Sequence, residues 1–283
     1  MKFLSVVLFF VLGCNLAMAQ AWSIPSGSAE KEFGTIVYIE SVYPRPGAAK
    51  GINDTLTSTG ILLKDSSRIY LVTTKHGVQR ELLSTNQQLL NSNISFTTAA
   101  ANSNKVKNIK LPELIGKEAG IEPYILSSDV EDIAIISFQK NGYKALIAAL
   151  KKDEGRPLPV DSLDMSDDHY PDENYFHPSY MVYKSKTGAR TWSKGLGTAK
   201  IKTYPDASPT FTITDYIGAG NNGSPLFIND KIIGMVRNGE GMGPNAVTIK
   251  DPFQKSKTGI VIKATRILPL LRKLQEVENM PGF

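Results

Sequence analysis

Short apolar or alternating segments recur along most of the chain and predict β-strands. Residues 210–214 read Thr-Phe-Thr-Ile-Thr, an alternation typical of a strand with one buried face. Many short strands separated by turn residues indicate an all-β sandwich or barrel. The other predicted strands are rich in β-branched and aromatic residues and are bounded by Gly, Asn, Asp or Ser; they cover 35–39, 60–63, 69–74, 94–97, 132–138, 180–183, 197–201, 226–228, 232–236, 246–249 and 260–262.

Two segments carry apolar residues at helical spacing instead. The weaker pattern covers residues 143–152, and the stronger one covers residues 265–277, with Pro281 beyond its end. We therefore expect one short internal helix and one helix near the C-terminal end of the chain.

A proline-rich and acidic stretch separates the two groups of predicted strands. We interpret residues 151–178 as a linker between two β-domains, at 20–150 and 179–283. His169 and His177 lie in or beside this stretch, but their surroundings match no recognised ligand spacing. We therefore expect a solvated linker and neither a metal nor another cofactor. The acidic residues of the stretch are Asp161, Asp164, Asp167, Asp168, Asp172 and Glu173.

The N-terminal residues 1–19 have the features of a signal peptide. Lys2 supplies a positive end, and the apolar run at 3–12 is too short to span a bilayer as a helix. Small residues at 17 and 19 suit signal peptidase, so cleavage is predicted before Gln20. We expect a secreted or periplasmic protein whose mature chain has no transmembrane segment.

Cys14 supports a second interpretation of the same region. Residues 11–14 read Val-Leu-Gly-Cys, which resembles a bacterial lipobox and would give a lipid anchor through Cys14. Either interpretation takes the protein out of the cytoplasm. Because the chain has 1 Cys, the fold must hold without an internal disulfide even in an oxidising compartment.

Composition and charge narrow the possible classes of protein further. With 41% hydrophobic and 21% charged residues, the chain is not wholly disordered, a coiled coil or a multi-pass membrane protein. The net charge is +5, but the basic residues are spread along the sequence. Without a Lys/Arg stripe, we expect no nucleic-acid partner.

Three motifs carry candidate chemistry. His76 follows a predicted hairpin, and Asp132 stands at the mouth of an apolar strand. Residues 220–225 read Gly-Asn-Asn-Gly-Ser-Pro, a glycine-bracketed loop leading into another strand. Each motif alone is typical of a purely structural role, as a strand-end histidine, a turn acid or a plain turn.

In this order, with separations of 56 and 90 residues from His76 to Asp132 to Asn222, the motifs resemble those of trypsin-like (chymotrypsin-fold) serine proteases. The resemblance is to the disulfide-free bacterial branch that includes HtrA-type proteases and glutamyl endopeptidases, and it covers about residues 33–274. It implies two six-stranded β-barrels packed together, with a C-terminal α-helix and a site in the cleft between the barrels. In that fold His76 would be the base, Asp132 its orienting acid, and the backbone N–H groups of Gly220 and Asn222 the oxyanion hole.

The glycine loop departs from the pattern of this family at the nucleophile. Asn222 stands where the family has its reactive serine, and a carboxamide does not attack peptide bonds. Ser224, two positions further on, is the alternative nucleophile, but it needs a rearranged loop to reach the base. Asn221 replaces the aspartate that pairs with a new N-terminus in vertebrate members, so we expect no zymogen activation of that type.

The resemblance also implies a substrate side of the cleft. Arg237, Asn238 and Gly239 match the strand to which an extended peptide adds. Arg237 faces either Asp132, for which it would compete with His76, or solvent. Tyr216 is a candidate for the lining of the primary pocket. The segment 79–110, rich in Asn, Ser and Thr, is longer than a family loop needs and either covers the cleft or is variable surface.

Three functions are therefore open from the sequence. The first is an exported pseudoprotease that binds a peptide or protein in the cleft between the barrels without cutting it. The second is an active serine endopeptidase with Ser224 as a displaced nucleophile. The third is a structural envelope protein whose cleft is idle.

Overall fold

The fold is taken from a computed structural model, which describes residues 34–44, 49, 53–66, 68–82, 87–90, 94–98, 107–110, 124–128, 130–138, 148, 156–184, 190–240 and 256–278. The predicted signal peptide, the lipobox and the strand at 246–249 lie outside the described residues. The same holds for the predicted helix at 143–152, apart from a single position. No helix within the described ranges is long and apolar enough to cross a membrane.

An eight-stranded sheet forms the first part of the molecule, in the order β7-β6-β1-β2-β3-β9-β8, with β10 pairing parallel to β2. A short helix, α1 (Lys75–Val78), follows β3, and β4 pairs with β5 apart from the main sheet. The strands are β1 (Ile36–Pro44), β2 (Asn53–Lys64), β3 (Ile69–Thr74), β4 (Gln79–Leu82), β5 (Gln87–Leu90), β6 (Ile94–Thr98), β7 (Lys107–Lys110), β8 (Tyr124–Leu126), β9 (Ile133–Phe138) and β10 (Leu158–Pro159).

A closed six-stranded barrel forms the second part, in the order β11-β12-β13-β16-β15-β14. Helix α2 (Ala264–Glu278) follows the last strand. The chain is therefore all-β with a terminal helix, as the sequence predicts. The barrel strands are β11 (Asn174–Lys184), β12 (Arg190–Thr203), β13 (Thr210–Thr214), β14 (Pro225–Ile228), β15 (Lys231–Gly239) and β16 (Gly259–Lys263).

One hydrophobic cluster joins both sheets to α2. It includes Val72 and Ile135 from the first sheet and Ile262 from the barrel, all fully buried. Ile267 and Leu271 of α2 pack into the same cluster one helical turn apart, because residues i and i+4 share a helix face. The helix therefore closes the core on the side where the two sheets meet.

The acidic stretch between the sheets packs more closely than the sequence suggests. The expectation of a solvated linker is wrong for several of its residues: Leu163 bridges to Ile232 of the barrel, and His169 and His177 are buried. Strand β11 begins at Asn174, within the segment interpreted as a linker. Among the described residues, no group of three or more His, Cys, Asp or Glu side chains is arranged to hold a metal ion.

The long segment 79–110 contributes to the first sheet. Strand β6 pairs with β1, and β7 pairs with β6, so this part of the segment extends the sheet at one edge. The sequence predicts β6 but not β4, β5 or β7.

Candidate functional site

The predicted base and its acid meet where β3 ends and its neighbour β9 begins. Strand β3 pairs antiparallel with β9, so that Thr74 lies opposite Ile133. His76 and Asp132 therefore come together although they are 56 residues apart. The Nδ1 atom of His76 lies 2.6 Å from Oδ2 of Asp132, and the backbone N–H of His76 donates to Oδ1 at 3.0 Å.

Asp132 is held in position by its own backbone. Its φ of 56° lies in the left-handed region, which aspartate adopts more readily than most residues with a side chain. Its N–H donates to the carbonyl of Ser128 at 2.9 Å, and its carbonyl accepts from the N–H of Lys75 at 3.1 Å. Because the side chain is also buried, the carboxylate has little freedom to turn away from His76.

Asn222 occupies the other side of the imidazole. Its Nδ2 amide lies 2.9 Å from Nε2 of His76. Since Nδ1 faces the Asp132 carboxylate, the tautomer that satisfies both contacts carries its proton on Nδ1, and Nε2 accepts from the amide. The basic nitrogen of His76 is thus hydrogen-bonded to a group that has no nucleophilic hydroxyl.

Ser224 points elsewhere. Its hydroxyl donates to the carbonyl of Asn221 at 2.5 Å, and the residue is fully buried. The structure therefore brings Asn222 to the histidine ring and leaves Ser224 bonded within the loop. This geometry does not favour Ser224 as a displaced nucleophile.

The loop around Asn222 requires glycine at two positions. Gly220 and Gly223 have φ values of 92° and 88°, a region that side chains strongly disfavour. A Cβ atom on Gly220 would lie 2.5 Å from the carbonyl oxygen of Tyr180, and one on Gly223 would overlap the carbonyl oxygen of Thr59. The loop therefore packs backbone against backbone at both glycines.

Thr59 joins this loop to the first sheet, and sequence reasoning assigned it no role. Its N–H donates to the carbonyl of Asn222 at 2.7 Å, and its hydroxyl donates to the carbonyl of Gly220 at 2.7 Å. The same hydroxyl accepts from the N–H of Tyr180 at 3.1 Å. Thr59 thus fixes Asn222 relative to the sheet that carries His76. In the sequence, only its position directly before the predicted strand at 60–63 draws attention to it.

The backbone N–H groups of the loop fall into two sets. Those of Asn221, Gly223 and Ser224 donate to the carbonyls of Gly218, Val236 and Asn221, respectively. The N–H groups of Gly220 and Asn222 have no hydrogen-bond acceptor in the part of the chain that the structure describes. These are the two N–H groups that the resemblance assigns to an oxyanion hole.

Asn221 uses its side chain inside the loop. The Oδ1 atom accepts from the N–H of Gly218 at 2.7 Å, and Nδ2 donates to the hydroxyl of Ser179 at 2.8 Å. Asn221 therefore ties the loop to β11, and its buried amide holds this turn without an ion pair.

Arg237 faces the acid, one of the two orientations expected from the sequence. Its Nε atom lies 3.5 Å from Oδ2 of Asp132, the same oxygen that faces Nδ1 of His76. The side chain is 23% exposed, so the guanidinium is also within reach of solvent. The Asp132 carboxylate thus has a cationic partner in addition to its hydrogen bond with the neutral imidazole.

The other predicted substrate residues lie nearby on the barrel. Asn238 and Gly239 pair with Ile260 and Gly259 of β16, and Asn238 is buried. Pairing of β15 with β14 reaches Met235, opposite Pro225. Tyr216 follows β13 and is 54% exposed; its place in the primary pocket stays a prediction.

Comparison with known proteins gives the fold alone. No family model matches the chain, and no curated protein matches it. Among solved structures, the chain is similar to the crystal structure of the scabies mite inactivated protease paralogue S-D1, with a TM-score of 0.51 and 12% sequence identity. The similarity covers 90% of this chain and 97% of that one. It supports the trypsin-like, chymotrypsin-type double-barrel fold that the motifs imply.

Proposed function

We propose that this protein is an exported pseudoprotease of the trypsin-like fold that binds a peptide or protein between its barrels without cutting it. The observation that carries the proposal is the contact of 2.9 Å between the Asn222 amide and Nε2 of His76. This is the place where a working enzyme of this kind needs a hydroxyl.

The loss of catalysis follows from the chemistry of the amide. A carboxamide nitrogen shares its lone pair with the carbonyl, and a neutral imidazole cannot remove its proton. In a serine protease of another fold, removing the nucleophile lowers the rate by about 10⁶-fold. What then remains comes from binding and from the backbone N–H donors.

Binding is favoured over an idle cleft by the donors that remain. The N–H groups of Gly220 and Asn222 lie in buried residues and have no acceptor among the described residues. An unsatisfied buried N–H costs free energy, so a ligand oxygen that accepts from it stabilises the complex. An extended ligand would then follow β15 along Arg237 to Gly239 by adding a strand.

The cellular location is the second part of the proposal. Residues 1–19 support export and Gln20 as the first mature residue. Sequencing the N-terminus of the exported protein tests this directly. A lipid-modified Cys14 at the N-terminus would establish the anchored form instead.

The central experiment is to put the nucleophile back. We expect the wild-type protein neither to hydrolyse casein nor to react with a fluorophosphonate probe, because Nε2 of His76 faces the amide of Asn222 instead of a hydroxyl. Asn222→Ser should gain both properties, since Thr59 and Asp132 already fix the two sides of the site. Adding His76→Ala to Asn222→Ser should abolish them again.

Two outcomes would contradict the proposal. Probe labelling of the wild-type protein that disappears in Ser224→Ala would show a displaced nucleophile and an active endopeptidase. A wild-type protein that captures no peptide, together with an inert Asn222→Ser, would favour a structural protein with an idle cleft.

A further inference from the structure

We infer that the ligand of this site ends in a free carboxylate, such as the C-terminus of a peptide. The carboxylate would lie on the backbone N–H groups of Gly220 and Asn222 and on the side-chain amide of Asn222. This inference rests on the proposed function and specifies the class of ligand that the site takes.

The backbone supplies two of the donors. Gly220 has a φ of 92° within a tight turn, and turns of alternating hand form concave groups of N–H donors that bind anions. The N–H of the intervening Asn221 is already donated to the carbonyl of Gly218. Within the described part of the chain, the N–H groups on either side of it are the pair left to a ligand.

Asn222 supplies a third donor through its side chain. A primary amide carries two N–H protons, and one of them is used by Nε2 of His76 at 2.9 Å. The second proton is available to an oxygen on the ligand. A serine at this position would have a single proton, and that proton would go to the imidazole. The residue that removes the nucleophile thus adds a hydrogen-bond donor for an anion.

The surrounding charges are compatible with an anionic ligand. The Asp132 carboxylate is buried, hydrogen-bonded to His76 and within 3.5 Å of Arg237. Glu131, the residue before it, is paired with Arg266 at 2.7 Å. The negative charges of Asp132 and Glu131 are therefore each balanced by an arginine, so these two carboxylates leave little net negative charge to repel an anionic ligand.

Steric arguments favour a chain end over an internal peptide bond. The Asn222 side chain is larger than that of a serine by two heavy atoms and extends to His76, the place where the resemblance puts the bond that a working enzyme cuts. A ligand that ends at this point does not need that space. Its carboxylate also accepts through two oxygens, and hydrogen bonds to a charged acceptor are about twice as strong as neutral ones.

The test compares two forms of one peptide pool. A randomised octapeptide pool is synthesised with a free C-terminal carboxylate and, separately, with a C-terminal carboxamide. Each pool is equilibrated with the purified protein, and bound peptides are measured by mass spectrometry. We expect at least about tenfold tighter binding of the carboxylate pool, because charge-assisted bonds to the donors are lost in the amide.

Asn222→Asp is the matched variant, because it keeps the shape of the side chain and replaces the donor by a carboxylate. It should lose the preference for the free carboxylate and keep binding of the amidated pool. Asn229→Asp makes the same chemical change at an exposed turn and should behave as the wild type.

The possible outcomes distinguish a failure of the inference from a failure of the proposed function. Equal binding of both pools, or an unchanged preference in Asn222→Asp, would overturn the inference and leave the peptide-binding function standing. Binding of neither pool would overturn the peptide-binding function and the inference with it.

Discussion

The two shortest histidine–aspartate contacts among the described residues lie in different surroundings. His76 and Asp132 meet at the junction of the first sheet and the barrel, where the histidine side chain is 13% exposed. His177 of β11 and Asp215, which follows β13, meet in the barrel, where the histidine side chain is 3% exposed. In both pairs a ring nitrogen makes a short hydrogen bond to a carboxylate oxygen.

The second ring nitrogen distinguishes the pairs. Nε2 of His76 meets the amide of Asn222, whereas Nδ1 of His177 is buried and has no hydrogen-bond partner among the described residues. Gly197 leaves room for the buried pair, since a Cβ atom there would overlap the His177 ring. A hydrogen-bonded histidine and aspartate therefore do not define an active site. The chemistry of such a pair depends on the group that contacts the second ring nitrogen and on whether a ligand can reach that nitrogen.

The largest effect expected from this comparison is on stability. Replacing His177 by Ala removes a ring that is almost fully buried and leaves the Asp215 carboxylate with the backbone N–H of Tyr216 as its remaining described donor, so we expect a loss of about 3 kcal/mol in unfolding free energy, most of it from the lost packing. His76→Ala should cost about 1 kcal/mol, because Asp132 keeps the hydrogen bond from the backbone N–H of residue 76 and its contact with Arg237. Urea unfolding of both variants measures the difference. Equal losses would show that the two pairs contribute alike to the fold.

The hydrophobic pattern within single segments is sufficient to predict the fold class, because the best-defined strands and the last helix each have a pattern typical of their own structure. Strand β13 alternates, β3 consists of apolar, aromatic and β-branched residues and is buried throughout, and α2 has a regular apolar face. Strand β7 was missed because its sequence, Lys-Asn-Ile-Lys, has one apolar residue and becomes a strand by pairing with β6.

The site was predicted in part, and the reason lies in how each residue is recognised. The motifs containing His76, Asp132 and Asn222 are local, so their resemblance to a protease family could be seen directly in the sequence. The cross-link made by Thr59 and the pairing of His177 with Asp215 depend on contacts between distant segments. No short motif marks them, and His177 was consequently assigned to a solvated linker.

A smaller effect on the unfolding free energy is expected at high pH from Tyr175, whose pKa is influenced by Asp215 of the buried pair. Burial, reinforced by the charge of Asp215, raises the pKa of Tyr175 well above its usual value of 10. Above about pH 10 the unfolded chain loses this proton while the folded protein keeps it, so the unfolding free energy should fall with pH. The slope from this residue is about 1.4 kcal/mol per pH unit.

Tyr175→Phe should remove that part of the slope, as measured by urea unfolding between pH 9 and pH 11. The variant should be no less stable at pH 7, because the Tyr175 hydroxyl has no hydrogen-bond partner within the described ranges. Asp215→Asn should keep most of the slope, since burial is the larger cause. If Asp215→Asn removed the slope altogether, the charge of the pair rather than burial would control Tyr175.

The smallest effect tests whether the first pair depends on the terminal helix. Arg266 of α2 donates to Glu131, next to Asp132, at 2.7 Å, but the arginine side chain is 47% exposed. Exposed ion pairs contribute about 0–1 kcal/mol, so Arg266→Ala should lower the unfolding free energy by no more than that, and by less in 1 M salt. Peptide binding should be unchanged, because the backbone contacts with Ser128 and Lys75 hold Asp132. A loss of binding in Arg266→Ala would mean that the His76 pair is positioned from outside its own strands, whereas the His177 pair is held within the barrel.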